Sequence, residues 1–173
     1  RLKDTTRHCY TSGGRHESVA EHSWRMTLMA YLVAEEFPEA DVTKLLKMCL
    51  IHDLGECFTG DIPTFDKTAA DEEKEATLLN NWLTSLPIPY CTELTQLFAE
   101  MDARQTLEAK LFKAIDGMEA VMQHNESDLS TWIPHEYELN KIYCEDKVQF
   151  SNYLIKFRQL LKEETEHKIA AMQ

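Results

Sequence analysis

The stretch Leu50-Ile51-His52-Asp53-Leu54-Gly55-Glu56 ends an apolar helical pattern with an imidazole and two carboxylates. His52 and Asp53 compete with core residues for the inner surface, and both side-chain types ligate first-row divalent ions. His52 and Glu56 stand four apart, and Asp53 and Glu56 three apart. On a helix, or on its last turn, all three therefore share one side. One reading is chemical: two metal ligands beside a non-ligand carboxylate that takes and returns a proton. The other is helix C-terminal chemistry, with His52 near the carbonyl end and Gly55 as a stop. These seven residues alone leave both open.

Two further polar residues interrupt apolar helical runs, His22 in Ala20-Glu21-His22-Ser23 and Asp116 in Ala114-Ile115-Asp116-Gly117. His22 by itself reads as a core histidine. Asp116, flanked by Phe112, Ile115 and Met118, is costly to bury unpaired. Gly117 weakens its helix by about 1 kcal/mol relative to alanine, which points to tight packing or a bend. Taken together, two histidines and two aspartates on three helices close a four-ligand pocket with positions left for water.

The rest of the chain reads as helices. Ser18 and Glu21 form a capping box, and the helix runs to about Glu36, before Pro38. Its inward stripe is Val19, His22, Met26, Met29 and Val33. Asp41 caps a second helix with Val42, Leu45, Leu46 and Cys49 inward, and His52 and Asp53 continue it. Gly60-Asp61-Ile62-Pro63-Thr64 is a loop. Further helices are expected over 68–85, 92–102 and 105–124, the last with Leu111, Ile115, Met118 and Met122 on one face. Another opens near Pro134, and a final one spans about Val148 to Ala170. No strand is expected. The fold class is all-α, a single-domain helical bundle over 1–173, with the metal-site core at about 18–122 and C-terminal helices at about 134–170.

Composition narrows the function. A chain of 173 residues with 43% hydrophobic content can bury a substantial core. The net charge of −12, without a basic run, argues against binding a nucleic-acid polymer. A small anionic substrate stays compatible, because a metal and a few placed arginines reverse the local field. The five cysteines are odd in number and form no CxxC pair, which fits a reducing cytoplasm better than a disulfide framework. Apolar runs fall far short of a membrane span.

With these residues in place, the chain resembles the HD-domain metal-dependent phosphohydrolases, in particular the branch of 5′-deoxynucleotidases. The resemblance covers about Leu2 to Met122. It runs through Leu2-Lys3 and Arg7, Glu17 to Ser23, Leu50 to Glu56, Gly60-Asp61-Ile62-Pro63, and Glu108-Ala109-Lys110 with Ile115-Asp116. It implies that His22, His52, Asp53 and Asp116 hold one divalent metal ion: manganese, cobalt, iron, nickel or zinc. It implies that Glu56 is the catalytic carboxylate, that Asp61 lies near the attacking water or the substrate, and that Arg7 contacts the nucleotide. A homodimer is implied as well. The expected activity is hydrolysis of (deoxy)nucleoside 5′-monophosphates. Two other readings stay open: a phosphohydrolase of another small phosphate ester or diphosphate, and a non-catalytic nucleotide sensor.

This chain departs from the branch at one place. The nucleotidases carry a tryptophan immediately after the arginine or a few residues on, against the sugar. Here the segment is Arg7-His8-Cys9-Tyr10, which leaves His8 or Tyr10 as the candidate wall. Between Asp53 and Asp116 there is no histidine, so a mononuclear centre is expected and cyclic-dinucleotide chemistry is disfavoured. Arg15, Arg25 and Lys67 are minor phosphate candidates, and Arg25 is expected to pair with Glu21 one turn earlier. His16 is a candidate for the pocket rim. His124, His135 and His167 are expected in solvent.

Overall fold

In the computed structural model, which describes residues 1–171, a two-stranded ribbon precedes eight helices. The ribbon is β1 (Thr6–Tyr10) paired antiparallel with β2 (His16–Ser18). The helices are α1 (Val19–Val33), α2 (Val42–Ile51), α3 (Glu56–Thr59), α4 (Ala69–Thr84), α5 (Tyr90–Ala103), α6 (Leu107–Glu126), α7 (Glu136–Ile142) and α8 (Asn152–Ala170). The all-α expectation holds for the body of the chain, and the ribbon corrects the expectation of no strand. Its strands are short and polar, so no alternating stripe announces them. They are closed by a turn in which Gly14 takes φ +79°, a conformation that glycine adopts without strain.

Local chemistry explains where the main helices begin. Ser18 accepts from the Glu21 backbone N–H while Glu21 reaches back to the Ser18 backbone, closing the expected capping box. Asp41 caps α2 by accepting from the Lys44 N–H at 3.0 Å. Thr68 and Asp71 repeat the box at α4. The helix expected to reach Glu36 stays α-helical only to Val33 and tightens into a single 3₁₀ turn over Ala34–Glu36.

α6 is the central post. It packs against α1, α2, α5, α8 and β1. Met26, Leu45, Met48, Leu111, Ile115, Met118 and Leu154 are all fully buried in one core around it. Each contributes about 1.5–3 kcal/mol relative to exposure. Gly117 sits on α6 where the helix meets the chain after α7. A Cβ at this position would stand 3.1 Å from Cys144 Sγ and inside van der Waals distance of its Cβ. The helix does not break there, so packing rather than a bend accounts for this glycine. Gly117→Ala is expected to lose about 1–3 kcal/mol through overpacking, read as a lower urea midpoint with an unchanged slope. A wild-type midpoint would mean that Cys144 gives way freely.

Candidate active site

α1, the end of α2 and α6 present four side chains to one point. The packing of α1 and α2 on α6 places them there. His22 Nε2 lies 3.3 Å from His52 Nε2, 3.3 Å from Asp116 Oδ1 and 3.8 Å from Asp53 Oδ2. His52 Nε2 lies 3.0 Å from Asp53 Oδ2 and 3.8 Å from Asp116 Oδ1. Donors about 2.1 Å from a shared first-row ion stand about 3.0–3.4 Å apart, so the spacing suits one ion.

The hydrogen-bond polarity suits it too. His52 Nδ1 is 2.9 Å from the Cys49 carbonyl, which only accepts, so the proton is on Nδ1 and Nε2 offers its lone pair. His52 also caps α2, as the helix-end reading expects, whereas Gly55 is no stop but takes right-handed helical angles as the N-cap of α3. His22 Nδ1 meets the carboxylate of Glu119, which likewise only accepts. Two bare nitrogens and two carboxylates then face one another, an arrangement that calls for a cation. Burial and the Arg7 charge oppose a proton on His22, but Glu119 and Asp116 outweigh them and push its pKa up to about 10. A field that holds a proton so firmly also favours a metal ion, whose binding releases it. Burial works against the Asp53 charge, but His52 holds its carboxyl down at about 2. Asp116 is half-buried and partly desolvated, but Lys113 Nζ at 2.7 Å from Oδ2 keeps it well below the usual carboxylate range.

Beyond His52 the chain turns tightly, with the Glu56 N–H donating to the Asp53 carbonyl at 3.0 Å. That turn starts α3 and buries Glu56 within reach of the Asp53 charge. Its Oε2 has no hydrogen-bond partner. Burial, together with the charges of Asp53 and Asp61, pushes its carboxyl up to about 9. Asp61 follows Gly60, whose φ of +81° turns the loop after α3, and is half-buried.

β1 brings Arg7 and His8 to a small cleft of about 50 Å³, shared with Phe65, Tyr143 and Asn140 among others. Arg7 Nε stands 3.3 Å from Glu17 Oε2. Burial disfavours its charge, but the surrounding anionic groups, among them Glu119, Asp53 and Glu17, hold its pKa well above the ordinary value. Tyr10 stacks on His16 at 4.1 Å and does not line this cleft, and neither does His16.

Several residues of the site escaped the sequence pattern. Glu119 is fully buried and orients His22. Arg25 was expected on Glu21, but its Nε is 2.6 Å from Glu119 and its Nη1 2.6 Å from Glu126, while Glu21 pairs with Arg15. A buried carboxylate is the stronger attractor, since it has lost its water. His124 was expected in solvent and is buried against Glu136, whereas His135 and His167 are exposed. Lys67 is spent on Glu75 at 2.7 Å. The one sequence signal for Glu119 was its place three after Asp116, on the same side of α6. Glu119→Gln is expected to weaken metal affinity about 10–100-fold by loosening the hold on His22. Competition against a chelator reads this, and an unchanged affinity would reduce Glu119 to a structural role.

Comparison with known proteins agrees with this geometry. The family model described as HD domain matches residues 1–156. The 5′-deoxynucleotidase HDDC2 of Xenopus laevis is 33% identical over 116 residues, 66% of this chain and 57% of that protein. This chain therefore spans little more than half the length of that relative. The Dictyostelium discoideum protein of the same name is 35% identical over 137 residues, 73% of this chain and 68% of its own length. A crystal structure of a predicted metal-dependent phosphohydrolase from Magnetospirillum magnetotacticum superposes with a TM-score of 0.81 at 28% identity, covering 96% of this chain and 89% of that one. A divalent-metal centre is what such neighbours and this donor set imply together. With the matched residues running through every element that carries the four donors, this chain belongs to the HD-domain family.

Proposed function

We propose that His22, His52, Asp53 and Asp116 hold one divalent ion of the manganese-to-zinc series, and that the chain hydrolyses (deoxy)nucleoside 5′-monophosphates to nucleoside and phosphate. One observation carries hydrolysis over mere binding. Glu56 is buried within reach of the Asp53 charge, with Oε2 unpartnered and its carboxyl raised. A sensor has no use for such a group, whereas a hydrolase needs a proton carrier there. The relatives named as 5′-deoxynucleotidases favour a nucleotide substrate.

The bound ion supplies Lewis-acid stabilisation of the phosphoryl charge. Glu56, which holds a proton at neutral pH, gives it to the leaving 5′ oxygen and recovers one from the attacking water. Asp61, by its charge, keeps the Glu56 carboxyl ready to hold that proton. Arg7, held by Glu17 at the cleft, contacts the part of the nucleotide that a small aryl phosphate lacks. His8 lies at the same cleft and is the wall for the sugar. The net charge of −12 keeps nucleic-acid polymers away. No helix among the described residues is long and apolar enough to cross a membrane. Trp24, Leu28, Tyr31 and Leu32 form an exposed apolar face on α1, which supports a homodimer.

Kinetics on deoxy and ribo forms of one monophosphate test this reading. Deoxyribonucleotides are expected to be preferred, with a looser margin than in tryptophan-bearing relatives, because an imidazole is a smaller wall than an indole. Arg7→Ala is expected to impair nucleotide hydrolysis far more than hydrolysis of a small aryl phosphate. Equal kcat/KM for both sugars would remove the deoxy preference. No phosphate release from any monophosphate would remove the nucleotidase activity.

A further inference from the structure

A second group of imidazole and carboxylate donors, distinct from the HD centre, lines the cleft that holds Arg7. His8 comes from β1, His124 from the last turn of α6, and Glu136 from the first turn of α7. His8 Nε2 and His124 Nε2 each stand 3.0 Å from the same oxygen, Glu136 Oε1. The other oxygen of Glu136 accepts the Ile133 backbone N–H at 2.8 Å, which fixes the carboxylate and leaves Oε1 to the two rings.

Proton counting shows what this group lacks. His124 Nδ1 lies 3.0 Å from the Ala120 carbonyl. A carbonyl only accepts, so Nδ1 carries the hydrogen of the neutral ring. Its Nε2 then turns a lone pair toward Glu136 Oε1, and two acceptors meet at hydrogen-bond distance. The contact is stable only with one added positive charge, either a second proton on the ring or a cation among the three side chains. An imidazole that donates its far N–H to a carbonyl is also the usual outer support of a metal-bound histidine. Phe65 packs edge-on against the His8 ring at 5.4 Å and Trp132 against the His124 ring at 5.7 Å. These aromatic walls shield the group, while the half-exposed side of His8 opens into the cleft that holds Arg7.

We propose that His8, His124 and Glu136 form a second divalent-cation site, separate from the HD centre. It takes a borderline first-row ion such as zinc on two nitrogens and one oxygen. Three protein ligands leave one coordination position toward the cleft, the pattern of an open rather than a purely structural zinc site. The site stands whether or not the HD centre hydrolyses nucleotides, because its signature is metal content and not turnover.

The test is zinc and cobalt stoichiometry on the full chain, stripped with a chelator, reloaded, desalted and measured by elemental analysis. His8→Ala and Glu136→Gln are each expected to hold one equivalent fewer than wild type, and Asp116→Ala to lose a different one. The cobalt absorption remaining in Asp116→Ala is expected to vanish when Glu136→Gln is added. His8 is the most exposed of the three side chains, so His8→Ala guards against a folding defect. If His8→Ala melts like wild type and keeps the full metal count, the site is refuted and the added charge is a proton on His124. If only the Asp116 equivalent fails to appear, the HD-centre reading falls and this site remains.

Discussion

His52→Ala and Asp116→Ala are each expected to lose the HD-centre ion, one metal equivalent below wild type, with phosphate release falling to background. Both residues give donor atoms to the same point, with His52 Nε2 3.0 Å from Asp53 and Asp116 Oδ1 3.3 Å from His22. Removing one leaves three donors and an unbalanced field. In Asp116→Ala the ammonium of Lys113 also loses the carboxylate held at 2.7 Å. Both variants are expected to melt below wild type, because the free energy of ligation is part of the free energy of folding. Adding metal should raise the melting temperature of wild type and leave that of the variants less affected. Full metal content in either variant would remove that residue from the ligand set.

Glu56→Gln separates binding from chemistry. The amide keeps the shape of the side chain but cannot take a proton. Glu56 makes none of the close donor contacts among the four ligands, so the metal content is expected to persist. Turnover on a nucleoside monophosphate falls by about 10²–10⁴-fold, the usual contribution of a positioned general acid–base group. KM is expected to change little, since the proposed role of Glu56 is on the reacting water and the leaving oxygen, not on the bound phosphate. Near-normal turnover would take Glu56 out of the mechanism and transfer the proton role to Asp61.

The parts of this molecule that were legible in its sequence are those written in local patterns. The stripe from Val19 to Val33 and the run from Leu111 to Met118 repeat at helical spacing, and each is buried as the period requires. Ser18 with Glu21, and Asp41, announce helix starts over three residues. His52 and Asp53 are conspicuous because they stand where hydrocarbon was due. What stayed hidden depends on partners distant along the chain. Glu119 meets His22 across 97 residues and Arg25 across 94, so its role existed only once α1 had packed on α6. Arg25 seemed assigned to Glu21 because i,i+4 spacing is visible in a sequence, whereas the burial that makes Glu119 the better partner is not. His124 read as a surface residue because its neighbours in sequence are polar. Its neighbours in space, Trp132 and Glu136, arrive from the following segment. The ribbon was missed for a related reason: three to five polar residues become a strand only when the turn at Gly14 folds one onto the other.

The central claim is that a metal-loaded HD centre in this chain cleaves a phosphomonoester. The most direct test is phosphorus NMR of a deoxynucleoside 5′-monophosphate with chelator-stripped full chain, before and after a divalent ion is added back. The expected result is conversion of the monophosphate signal to inorganic phosphate only after the ion is restored, and none with His52→Ala under the same conditions. A monophosphate signal that persists with metal bound to the wild-type chain, or conversion at the same rate by His52→Ala, would contradict it.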